Sequence, residues 1–135
     1  MSQSLTWKLE VIVVNGPHFS EAQALTLDAF DKVDAVVPAA TGATPTAGTA
    51  TVEVQPGGAG QVQFLLLTSS VYSQALTFTV DGGSPFRLDA LLMLSREGVV
   101  ALLGQTQKQF LFSNLISPAA PVTVSILVGR KATVV

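Results

Sequence analysis

Apolar and polar residues alternate along most of this chain, and a period of two marks strands rather than helices. From Leu5 to Val14 the alternation sets Trp7, Leu9, Val11 and Val13 on one face and Lys8, Glu10, Ile12 and Val14 on the other, before the turn formers Asn15, Gly16 and Pro17. The second face begins polar and ends apolar, which predicts a strand that leaves solvent as it proceeds. Ala24 to Val37 reads as strand, although Leu27, Phe30, Val33 and Val37 also fit helical spacing. Pro38 to Ala50 holds only small residues, prolines and glycines, too little side chain to pack a core, and predicts a mobile loop or hairpin tip over about 38–50.

Two hairpins are predicted next. Thr51 to Gln55 and Gln61 to Thr68 flank the turn Pro56 to Gly60, and Ala75 to Val80 precedes Asp81 and Gly82, a favoured tight-turn pair, with Phe86 to Met93 as the return strand. The segment 85–104 has a competing helical reading, because Ser84 and Pro85 resemble an N-cap and first helical position. Gly98 in mid-pattern and an apolar character on every side favour strand. Lys108 to Phe112 and Val122 to Val128 complete the set. Eight or nine short strands separated by turn residues predict an all-β, single-domain antiparallel β-sandwich of jelly-roll or Greek-key type. No internal repeat points to a propeller or solenoid.

A length of 135 residues suits one domain. Composition sharpens the surface: 48% of residues are hydrophobic, only 12% are charged, and mean hydropathy is +0.50. Hydroxyl and amide side chains on outward strand faces must therefore meet the water. A net charge of -2, with scattered basic residues, gives no field for a phosphate backbone, so nucleic acid is not an expected partner. The absence of cysteine excludes disulfides, thiolate metal sites and cysteine nucleophiles. The first residues lack the pattern of a secretory signal and no uninterrupted apolar run reaches membrane length, so the expectation is a cytoplasmic protein with no transmembrane segment.

Candidate chemistry is sparse. His18, the single histidine, lies in a predicted loop, which leaves no two-histidine metal site. Asp28, Asp31 and Asp34 recur every third residue without the alternating ligands and glycine of a calcium loop, and Lys32 sits among them. No catalytic residue, cofactor or metal is assigned, and paired carboxylates are the one enzymatic route the composition permits. Thr68 to Gln74 gathers Ser69, Ser70, Tyr72 and Ser73 into a candidate recognition loop for a glycan or protein partner.

The charges are also unevenly placed. None occurs from Val54 to Val80 or from Gln109 to Gly129. Since exposed edge strands are normally guarded by charge, these neutral strands predict edges or faces covered by further copies, with Gln63 and Thr77 as candidate interface positions. The resulting expectation is a non-enzymatic, homo-oligomeric β-sandwich acting through association. A lectin-like protein and a membrane-active β-protein are the alternatives.

Overall fold

In the computed structural model, residues 3–54, 61–104 and 107–131 are described. They form an all-β fold of ten strands: β1 (Gln3–Ile12), β2 (His18–Leu27), β3 (Ala29–Val37), β4 (Gly48–Glu53), β5 (Val62–Ser69), β6 (Ser73–Val80), β7 (Phe86–Leu88), β8 (Leu92–Ser95), β9 (Gln109–Asn114) and β10 (Val122–Arg130). A single helical turn, α1 (Glu97–Val100), runs into a 3-10 turn at Ala101–Leu103. Two four-stranded antiparallel sheets, ordered β3-β10-β5-β8 and β4-β9-β6-β7, face each other, and β1-β2 forms a separate hairpin.

The alternation directs the packing. Leu65 and Leu67 of β5, Val124, Ile126 and Val128 of β10, Leu76 and Phe78 of β6, and Phe110 and Phe112 of β9 all point between the sheets and are buried. Phe78 lies 5.4 Å from Phe86 and 6.0 Å from Phe112 between ring centroids, inside the range of favourable aromatic pairs. The opposite face of the second sheet carries Thr49, Thr51, Thr77, Thr79 and Ser113, the hydroxyl surface expected from so few charges. Asn114, fully buried, donates to the carbonyls of Pro38 and Ala120 at 3.1 and 2.7 Å and accepts from the Ile116 amide at 2.9 Å, so one amide fastens two loops.

Several expectations are corrected. β4 and β5 are not a hairpin: β4 pairs with β9, β5 pairs with β10 and β8, and the chain changes sheet between them, with the turn at 56–60 outside the described residues. Alternation shows which side of a strand is buried and is silent about which neighbour completes its ladder. The return strand after Asp81 is split as well. β7 stays beside β6, while β8 crosses to the other sheet, and the helical signal of 85–104 is realised only as the turns after Arg96. The loop or hairpin tip expected over about 38–50 ends sooner, because β4 begins at Gly48; 38–47 is a tip closed by reciprocal Thr41 and Thr46 backbone hydrogen bonds, and Gly48 packs so tightly on the Pro38 carbonyl that a β-carbon would collide with it.

The neutral spans also have a different explanation from the one expected. β5, β6, β9 and β10 are the four central strands, each bonded on both sides by strands of the same chain. The edges carry the charge or are short: Asp31, Lys32 and Asp34 on β3, Glu53 on β4, three residues in β7 and four in β8. No further copy is needed to cover an uncharged edge there.

Candidate association surface

The β1-β2 hairpin lies on the outer face of the first sheet, and its register shows how. Phe30, Gly129, Phe64 and Ser95 are neighbours across β3, β10, β5 and β8, a row perpendicular to the strands. One strand in from the β3 end of this row Leu27 sits on Gly129, where an added β-carbon would come within 2.5 Å of the leucine Cδ1. At the other end the Trp7 indole Nε1 donates to Ser95 Oγ at 3.2 Å. Gln23 is the cross-strand partner of Trp7, so the hairpin covers the sheet between positions 27 and 23 of β2. Gly129 and Ser95 are two interstrand steps apart, about 10 Å, and four residues of strand span about 13 Å, so the hairpin passes from β10 over β5 and reaches the β8 edge at Trp7.

Leu5, Leu25 and Leu27, with Trp7, press this face onto Phe64, Leu66, Met93 and Leu127 in a second apolar cluster. The same hairpin face continues beyond Trp7 as Leu9, Val11 and Val13 on one strand and Phe19 on the other, because directly paired residues share a face. Among the described residues no element buries them. Phe19 is 68% exposed, Leu9 50%, and on the opposite face Ile12 is 65% and Val14 85% exposed. The strand thus enters solvent as it proceeds, the reverse of the expectation, because the sheet it packs on ends at β8. Roughly seven residues of hairpin, on the order of 20 Å, overhang that edge.

His18 is the first residue of β2 rather than a loop residue, and its Nε2 lies 3.5 Å from Glu10 Oε1 across the hairpin. Lys8, Glu10 and Ser20 make the opposite face of the overhang polar, while on the inner face Glu21 pairs with Leu9 and the positions nearer the tip, Val11 and Phe19, are apolar.

A second apolar feature lies on the same flank. Between β7 and β8 the two sheets part into a groove of about 300 Å³, lined by Phe78, Phe86, Leu91, Leu92, Leu94 and Leu102, with Arg87 and Asp89 also lining it. Leu102 is 75% exposed and Leu91 57%.

Compared with known proteins, the chain matches no family model and no curated protein.

The other candidate residues are placed as follows. Ser69 Oγ donates to the Val71 carbonyl at 2.6 Å, Ser70 Oγ accepts from the Thr123 amide at 3.0 Å, Ser73 Oγ accepts from the Ala75 amide at 3.1 Å, and the Tyr72 hydroxyl accepts from the Ser69 amide at 3.4 Å. These hydroxyls hold the β5-β6 turn together. Gln63 lies at the irregularity where β5 meets Gly129 and Arg130, and Thr77 faces outward on β6 between Ser113 and Arg87. Asp31 pairs with Arg130 at 2.6 Å, Asp34 accepts from Ser125 Oγ at 2.5 Å, and Asp81 Oδ1 accepts from the Lys108 and Gln109 amides at 3.0 and 2.8 Å. Among the described residues no group of His, Asp or Glu is arranged to hold a metal ion. Sequence reasoning found the apolar face of β1 and missed its exposure; the only available signal was that Leu9, Val11 and Val13 outrun the apolar positions of β2, where Glu21 and Gln23 interrupt the stripe.

Proposed function

We propose that the chain is a β-sandwich building block that works by associating with copies of itself, through the overhanging half of the β1-β2 hairpin. The observation that carries this reading is the continuity of one apolar face, buried on the sheet up to Trp7 and exposed beyond it. Complete burial of a valine, leucine or phenylalanine side chain is worth about 1.5–3 kcal/mol, so covering half of what this overhang exposes contributes several kcal/mol. Monomeric proteins rarely leave contiguous apolar patches larger than a few hundred Å² without a use for them. The carboxylates of Asp31, Asp34 and Asp81 are engaged in structural bonds, which favours association over carboxylate catalysis.

The test is the solution mass of the intact chain at micromolar to tens of micromolar concentration, by light scattering and native mass spectrometry. An oligomer is expected. Replacing residues 9–21 with Asn-Gly joins the cross-strand partners Lys8 and Ala22 by a favoured turn and removes the overhang alone. That variant should run at the mass of one chain with its melting temperature little changed. A wild-type chain that is monomeric throughout the range overturns the proposal.

A further inference from the structure

We infer that the overhanging arm of one copy docks in the β7-β8 groove of a second copy and receives that copy's arm in return, forming a closed two-fold dimer. This rests on the association reading above and names its partner surface. The arm passes over the β8 edge at Ser95, and the groove opens beside the same strand. With donor and acceptor surfaces on one flank, a single two-fold axis satisfies both contacts at once. Had they lain on opposite flanks, the contact would run head to tail and give a ring or an open chain.

The surfaces also match in chemistry and size. Leu9, Val11, Val13 and Phe19 form an apolar ridge, and the groove is apolar except at Arg87 and Asp89. Glu21 lies on the ridge face opposite Leu9 and supplies a negative charge for Arg87. A cavity of about 150 Å³ accepts a benzene ring. A groove of about 300 Å³ therefore takes the Phe19 ring with an aliphatic neighbour. The exposed apolar side chains of arm and groove together carry roughly 500 Å² per copy, so a reciprocal dimer buries roughly 1,000 Å², the size at which specific interfaces begin.

Because the chain contains no cysteine, introduced thiols report the contact cleanly. Val13→Cys and Leu102→Cys both lie at exposed positions and should fold as the parent does. Mixed under mild oxidation, the two variants should form a disulfide-linked pair of chains, while each alone stays uncrosslinked. Leu102→Lys should raise the dimer dissociation constant about tenfold or more. Efficient self-crosslinking of Val13→Cys means the arms meet each other; that result overturns the groove assignment and leaves association intact. An oligomer whose mass is insensitive to Leu102→Lys overturns it likewise. A monomeric wild type that pellets with phosphatidylcholine vesicles through the arm overturns both readings in favour of a lipid partner.

Discussion

Two single residues decide whether the layers close. Gly129 lets Leu27 reach the sheet, and Gly129→Val would place branched carbons where the leucine and the Phe30 ring now lie. Overpacking of this kind costs about 1–3 kcal/mol. Here the hairpin can lift to relieve it, so part of the loss should appear as exposure of Trp7, the single tryptophan. A red-shifted emission maximum together with a lower melting temperature is the expected result; an unchanged spectrum means the hairpin does not rest on Gly129. Asn114 acts through hydrogen bonds rather than shape. Asn114→Ala removes three hydrogen bonds to the Pro38 and Ala120 carbonyls and the Ile116 amide, each worth about 0.5–1.5 kcal/mol, and water can reach the groups left behind on the exposed Pro38 and Ala120. Chemical denaturation should show a loss of about 1–3 kcal/mol, whereas a loss below about 0.5 kcal/mol would mean water replaces the side chain without penalty.

At the scale of elements, the loop from Pro38 to Gly48 is tied at its base through Asn114 and closed by the Thr41 and Thr46 pair, so only its tip at 42–45 is free of these bonds. Digestion with a protease of broad specificity should therefore cut first at 42–45 rather than throughout 38–50. First cleavage beside Pro38 would show that the base is open in solution. The β1-β2 hairpin combines two kinds of element in ten-residue strands. Its proximal half is a third layer of the fold, and its distal half is an arm that contributes nothing to the sandwich beneath.

At the scale of the whole molecule, charge is placed at the sheet edges and the neutral strands lie inside. Thr77→Lys puts its charge on the outer face of a central strand, between its cross-strand partners Ser113 and Arg87 and not on an edge. The like charge of Arg87 opposite should keep the loss of stability to about 1 kcal/mol or less, and the assembly mass should not change. A shift of Thr77→Lys to smaller species would place an interface on the hydroxyl face of the second sheet instead of the arm.

Alternation and turn residues were enough to establish an all-β chain, because side-chain direction in a strand is a local property with a period of two, whereas the runs Phe64 to Leu67 and Phe110 to Phe112 are apolar on both faces and only the packing of the sheets distinguishes their core side. The hydroxyl faces followed from composition for the same reason. Pairing was not legible: Thr51 to Gln55 and Gln61 to Thr68 looked like partners across a turn, yet their ladders are completed by β9 and by β8 and β10, far away in sequence. The candidate surface was hidden for a related reason. Leu5 and Leu25 have the same chemistry as Leu9 and Val11, and only the width of the four-stranded sheet, which ends at β8 beneath Trp7, separates those that are buried from those that are exposed.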